Sequence, residues 1–275
     1  MHSECTIYRQ KIALISFQLF SQYIMAFFLR SFLLKGLYFL LILSLEQCFI
    51  SRSSPITAFS LPTDLYISLT RQSESSVQAY LERLGSASYN FDAPGSTDII
   101  ERTNESILRS MTPKNCMLNH CRVKVGSGKT AYNRAIEALR TGENVNRLKW
   151  AELVFQNKDV SKWKGTNVAT QAFSYVAWSV NPCRVVYSHW NEALPSKKGI
   201  YSSYGYSTIQ GHLLSGEESF QVEWDKEDDS VWYDMLSFSR GSGPLGTVIV
   251  PFVRPIQRKF FKQQIDIMKS ICQGE

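Results

Sequence analysis

The chain has 275 residues, 44% of them apolar, and a formal net charge of +6. That length and apolar content can bury one substantial core. So mild a charge excludes the dense cationic surface of a nucleic-acid-packing protein, and no nucleic-acid partner is expected.

Residues 1–64 read as a hydrophobic extension and linker ahead of a single α+β domain at 65–275. Ile12 to Leu29 carries no charge, Arg30 and Lys35 interrupt, and Gly36 to Leu45 is a second, shorter apolar run. The first run reaches the lower limit for a membrane-spanning helix, about 17 residues, and the second does not. The second run behind two cations resembles the core of a secretory signal, although it starts far from Met1. The acid-poor, serine-containing composition is that of an organellar transit peptide. Three readings stay open: a membrane contact through residues 12–50, a cleaved targeting segment of organellar (chloroplast) type, or a dispensable extension. Residues 51–62, rich in Ser and Pro, form the linker.

Ser73 is placed to cap a helix in which Val77, Tyr80, Leu81 and Leu84 share a face and Gly85 stops the run. Ala93-Pro94-Gly95 is a turn, and residues 101–115 are a polar loop with some helix. From 117 a strand period takes over. Asn119, Cys121, Val123 and Val125 share one face; His120, Arg122 and Lys124 share the other.

The strand leads into Gly126-Ser127-Gly128-Lys129-Thr130, which has the outline of a phosphate-binding loop. That motif needs a glycine separated by four residues from the Gly-Lys pair. Val123 stands there, and a β-branched residue does not take the positive φ of such loops. The segment therefore reads as a tight strand-to-helix turn, with no nucleotide partner. Tyr132, Ala135, Ile136 and Leu139 then mark an amphipathic helix that Gly142 ends.

Residues 151–155, 166–179 and 183–190 read as strands, with a turn at Asn181-Pro182 between the last two. Residues 199–210, 217–224 and 230–240 follow, the last two joined by a hairpin loop at 225–230. Consecutive strands with short connections make an antiparallel sheet. Residues 245–272 read as one long helix with a broad apolar face, its first part delayed or kinked by Pro251 and Pro255. Arg254, Arg258, Lys259, Lys262 and Lys269 decorate it and can meet anionic lipid, or simply water.

The expected architecture is α+β: a curved antiparallel sheet packed on a long C-terminal helix, similar to the helix-grip fold of steroid- and lipid-binding domains. The six cysteines, at 5, 48, 116, 121, 183 and 272, form no Cys-x-x-Cys. The loose pair Cys116/Cys121 beside His120 lacks the second pair of ligands that zinc requires. Reduced thiols in an intracellular core are expected, with no metal and no cofactor.

Four stretches carry a family resemblance: SASYNFDAPG (86–95), NHCRVKVGSGKTAYNRAIEAL (119–139), YGYSTIQGHLLSGEESFQVEW (204–224) and VWYDMLSFSRGSGPLG (231–246). Together they resemble uncharacterised protein family 0548, also called domain of unknown function nineteen-ninety, found in plants and bacteria. The likeness covers about residues 65–273, and its most specific part is the Gly-His…Gly-Glu-Glu-x-Phe block followed by Val-Trp-Tyr-Asp. The resemblance implies a fold and no activity, so no catalytic residue is carried over. Residues 1–60 lie outside it.

Candidate chemistry comes from strand parity. Glu218 shares a face with Phe220, Val222 and Trp224, so its carboxylate points to the apolar side and must be paired or raised in pKa. Arg122, Arg184 and His212 are its candidate partners. Tyr204, Tyr206 and Thr208 share a face, as do Tyr233, Met235 and Ser237, and can line a cavity with hydroxyls. No Gly-x-Ser-x-Gly elbow and no Cys–His nucleophile pair is present. The first expectation is a binder of a hydrophobic small molecule or lipid, held between sheet and helix by Tyr204, Tyr206, Thr208, His212, Glu218, Tyr233 and Arg122. The alternatives are an enzyme using His212 and Glu218 as an acid–base pair and a ligand-free interaction protein.

Overall fold

Period-two alternation marks the strands of the sheet, and a computed structural model describes residues 65–275. The elements are β1 (Tyr66–Ser68), α1 (Glu74–Leu84), α2 (Glu105–Met111), β2 (Met117–Ser127), α3 (Gly128–Thr141), α4 (Glu143–Asn146), β3 (Ala151–Phe155), β4 (Asn167–Ser174), β5 (Ala177–Ala193), β6 (Gly199–Thr208), β7 (Leu214–Asp225), β8 (Ser230–Gly241) and α5 (Gly243–Gln273). The strands make one curved antiparallel sheet in the order β2-β8-β7-β6-β5-β4-β3, with β1 beside β5. The expected α+β class, a sheet packed on a long C-terminal helix, is what forms. Among the described residues no helix is long and apolar enough to cross a membrane. The membrane contact expected over residues 12–50 falls outside the described residues.

The inner face of the sheet meets α3 and α5. Val125, Val185, Tyr204, Phe220, Val222, Tyr233 and Met235 pack there against Tyr132, Ile136 and Leu139 of α3 and Phe260, Phe261, Met268 and Ile271 of α5. The outer face carries two smaller cores. α1 lays Val77, Tyr80, Leu81 and Leu84 on Val154, Ala169 and Val180. Phe91 and Leu108 pack on Leu236 and Phe238. Ser73 caps α1 as expected, its Oγ accepting the Ser76 N–H, and Gly85 ends it at φ +46°. The four described cysteines are all unpaired.

The Gly-Ser-Gly-Lys-Thr segment is the tight turn expected. β2 runs to Ser127, Gly128 opens α3 at φ +81°, and its N–H donates to the Asp229 carbonyl at 2.8 Å. Gly126 sits beneath α3 and the end of α5: a Cβ there would lie 2.8 Å from Ala131 Cβ and 3.2 Å from Cys272 Cβ. Both neighbours belong to the buried core, so neither can give way freely. Gly126→Ala is expected to destabilise the fold by about 1–3 kcal/mol, read from the urea midpoint. An unchanged midpoint would show that the two helices have room to shift.

Two local expectations are corrected. Asn181-Pro182 is not a turn, because β5 runs straight through it. The Pro182 carbonyl accepts from Ile209 N–H, so its nitrogen faces the same edge, in the gap between the last β1 pair at Val180 and the first β6 pair at Cys183. The missing N–H therefore breaks no ladder bond. The real turn is Tyr175-Val176, which splits the run expected at 166–179, with Tyr175 at φ +59°. Likewise Pro251 and Pro255 lie inside α5, which starts at Gly243 and does not wait for them. Arg254 ties this stretch to the sheet, donating to the Ser239 carbonyl at 2.9 Å and its Oγ at 2.8 Å.

Candidate functional site

The inner face holds one ionisable acid among apolar and aromatic side chains. Register places Glu218 of β7 between Tyr206 of β6 and Ser237 of β8, two residues along from the row of Tyr204, Phe220 and Met235 on the same face. Its parity puts the carboxylate on the apolar side, as expected. Tyr206 Oη donates to Glu218 Oε2 at 2.8 Å. Among the described residues no cation pairs with Glu218. Burial raises its pKa from 4.5 to about 7, against the opposing effect of the Tyr206 hydrogen bond. Burial, then the charge of Glu218, pushes the Tyr204 and Tyr206 hydroxyls well above the usual phenol range. These groups stay neutral donors at ordinary pH. Phe220 packs against both tyrosines, with ring centroids 5.3 Å from Tyr204 and 5.8 Å from Tyr206, and the two tyrosine rings lie 6.2 Å apart.

A second polar group lies farther along the same face. Tyr233 Oη donates to Gln264 Oε1 at 3.0 Å. Asn144 Nδ2 donates to Tyr233 Oη at 3.1 Å and to Gln264 Oε1 at 2.9 Å. This ties α4 and α5 to β8 through fully buried side chains. Several buried polar atoms of this region have no protein partner, among them Tyr204 Oη, Trp163 Nε1 beside it, Asn144 Oδ1 and Gln264 Nε2. Buried polar groups are nearly always satisfied, so each calls for an explanation.

The apolar lining weakens toward the start of α5. Ile249, Val253, Ile256, Phe260 and Gln264 follow one helical stripe. Phe260 and Gln264 are buried, whereas Ile249, Val253 and Ile256 are only half-buried. The β4–β5 hairpin tip approaches this part of the helix, with Tyr175 Oη donating to the Phe252 carbonyl at 2.8 Å. Phe173, Tyr175 and Phe252 there are all exposed.

Of the residues expected to line the site, Tyr204, Tyr206, Glu218 and Tyr233 lie together on the inner face. Thr208 shares their parity, but its hydroxyl is spent on Asn90 Oδ1 and on the Gly216 N–H at 2.9 Å. His212 is engaged in its own loop: Nδ1 accepts the Leu214 N–H at 2.9 Å, and burial pushes the imidazole down to about 4. No hydrogen bond or ion pair joins it to Glu218, so the expected acid–base pair is not formed. Arg122 lies on the outer face, ion-paired with Glu223 at 3.0 Å and stacked over Trp232 at 4.9 Å. Its parity with His120, opposite Asp234, is the reason. Arg184 is held by Asn167 and by the carbonyls of Ala87 and Gly85. All three expected partners of Glu218 are therefore occupied elsewhere, and Tyr206 takes their place.

The outer face holds a network that the sequence reading missed. Fully buried Asp234 takes Arg102 Nη1 at 3.1 Å and His120 Nε2 at 3.1 Å. Glu217 accepts the N–H groups of Gly95 at 2.6 Å and Thr97 at 2.7 Å. Glu217, Ser219, Gln221 and Glu223 share this face, where Gly95, Thr97 and Ile100 bind Glu217 and Gln221, and Arg122 and Lys197 pair with Glu223. A groove of about 590 Å³ lies at the free edge of β3, lined by Arg140, Phe155, Lys158 and Val160 among others, and no expected site residue reaches it. Among the described residues no group of His, Cys, Asp and Glu is placed to hold a metal ion.

Comparison with known proteins agrees with the resemblance seen in the sequence. A family model described as a domain of unknown function, DUF1990, matches residues 101–266. A UPF0548 protein of Arabidopsis thaliana is 29% identical over 211 residues, covering 75% of this chain and 98% of its own. A UPF0548 protein of Dictyostelium discoideum is 27% identical over 158 residues, covering 54% and 71%. Among solved structures, a hypothetical protein of Helicobacter pylori is similar at 13% identity and a TM-score of 0.41, over 62% of this chain and 94% of that one.

Proposed function

This chain belongs to the DUF1990 family, and we propose that it binds a small, largely apolar molecule between the inner face of the sheet and the first half of α5. One observation carries the reading: Glu218 stands on an apolar face with no counter-cation among the described residues, in a region where Tyr204 Oη, Asn144 Oδ1 and Gln264 Nε2 are also unpartnered. An unsatisfied buried polar atom costs about 1–3 kcal/mol, which a ligand carrying the complementary groups would offset. The half-buried stripe Ile249, Val253 and Ile256 supplies apolar surface for the body of such a molecule. The fold alone would not support this; the polar atoms inside it do.

The test is titration of the full chain with Nile red, an uncharged dye that brightens in apolar surroundings. Saturable binding of one dye per chain is expected. Ile256→Trp, which fills the stripe from the helix side, should weaken it tenfold or more with the melting temperature unchanged. Unsaturable fluorescence that ignores the substitution would overturn the reading.

A further inference from the structure

Resting on that binding reading, we infer that the ligand is an apolar amine, bound as its cation with the ammonium group against the Glu218 carboxylate. The argument is a charge census of the surfaces that face this carboxylate. β6 offers Tyr206, whose hydroxyl donates to Oε2, and Tyr204 beyond it. β5 offers Cys183, buried and held as a neutral thiol by desolvation and then by the charge of Glu218. β8 offers Ser237 directly opposite and Tyr233 farther along. α5 offers the apolar stripe and, as its cation on this side, Arg254. That guanidinium is spent on Ser239 and on Gln257 Oε1 at 2.7 Å. Among the described residues, the surfaces around Glu218 thus present one acid and no free base.

A carboxylate so placed is stabilised most by a cation that brings its own hydrogen-bond donors. An ammonium group supplies up to three donors and the missing charge at once. The unpartnered atoms elsewhere on this face are of both kinds, so the headgroup preference rests on the Glu218 carboxylate. Asn144 Oδ1 and the Tyr204 hydroxyl can accept, while Trp163 Nε1 and Gln264 Nε2 can donate. An anionic ligand such as a fatty acid would set a second negative charge beside Glu218 in a poorly solvated site, which disfavours it strongly. The inference therefore separates ligands by headgroup, whereas the apolar stripe separates them by size.

The test is calorimetric titration of the full chain with decylamine, 1-decanol and decanoate, each below its aggregation limit, at pH 8. Decylamine is expected to bind at least tenfold tighter than decanol, with decanoate weakest. Glu218→Gln should remove the amine advantage and leave decanol within twofold. Lowering the pH to 5.5, which protonates the carboxyl, should weaken the amine and spare the alcohol. Decanol or decanoate binding best, or an amine advantage that survives Glu218→Gln, would overturn the amine inference and leave the binding reading standing. Binding of none of the three would overturn both.

Discussion

Asp234→Ala should unfold this protein more readily than any other single substitution on the outer face, at a cost of about 3–5 kcal/mol. The carboxylate is fully buried, and its partner Arg102 is 1% exposed. Every guanidinium nitrogen of Arg102 is committed: Nη1 to Asp234, Nη2 to the Thr97 carbonyl at 3.1 Å and Nε to the Ile99 carbonyl at 2.7 Å. Removing the acid leaves a cation locked in place with its counter-charge gone. Burial alone would raise the Asp234 pKa. The His120 hydrogen bond and the charges of Arg102, His120 and Arg122 outweigh that, and hold the carboxyl below its ordinary 3.8. A depressed acid stabilises the fold above its unfolded pKa, and the benefit is lost as pH falls through the folded value. Wild-type stability should therefore drop in acid below about pH 4 by an increment the alanine variant lacks. Urea midpoints at pH 7 and pH 3 read both effects. Replacing the pair together, as Arg102→Met with Asp234→Leu, should recover most of the loss, because no lone charge remains. A cost under about 1 kcal/mol for Asp234→Ala would show that residues 92–104 are held by their apolar contacts instead. The clamp bears on function because β7, the strand it backs, carries Glu218 on its other face.

Much of this was legible where one local rule dominates. β3 falls at 151–155 as the apolar run predicts, Ser73 and Gly85 bound α1, and period two alone turns Glu218 inward beside Phe220. What stayed hidden depends on pairing between distant segments. Pro182 looks like a turn until β1 and β6 are seen to leave a gap at it. Tyr175-Val176 makes a hairpin turn without Gly, Asn or Pro, so nothing in its composition marks it. Glu217 and Gln221 alternate with apolar residues and end up buried because the segment that covers them sits about 120 residues earlier in the chain. Arg122 and His212 attracted notice as charge partners for Glu218, but a residue type says nothing of which competing partner reaches it first. At the candidate site, parity marks Tyr206 as a hydroxyl in a cavity and does not mark it as a hydrogen-bond donor to the carboxylate. Gln264 and Asn144 were not foreseen at all, since a polar residue inside an amphipathic helix gives no sign of a buried partner on a strand.

The second large effect runs against the usual direction of mutation: Glu218→Gln should stabilise the empty protein. In the fold the Glu218 carboxyl titrates near 7, compared with 4.5 in the open chain. A raised acid gives extra stability that is fully present below about pH 4.5 and is lost as pH climbs through about 7. At roughly 1.4 kcal/mol per pH unit, the loss approaches about 3 kcal/mol and plateaus above pH 7. Glutamine keeps the shape, still accepts from Tyr206, and has no proton to lose. The variant should match wild type near pH 4.5 and exceed it by about 1–3 kcal/mol at pH 8, read from urea midpoints at several pH values without ligand. A difference that does not change with pH would show that Glu218 does not titrate as its burial requires. Saturating decylamine at pH 8 should then reverse the order, because a ligand stabilises only the chain that binds it. Gain without the amine and loss with it would make Glu218 a group whose cost to folding is recovered by its ligand, the trade expected of a binding residue and not of a structural one.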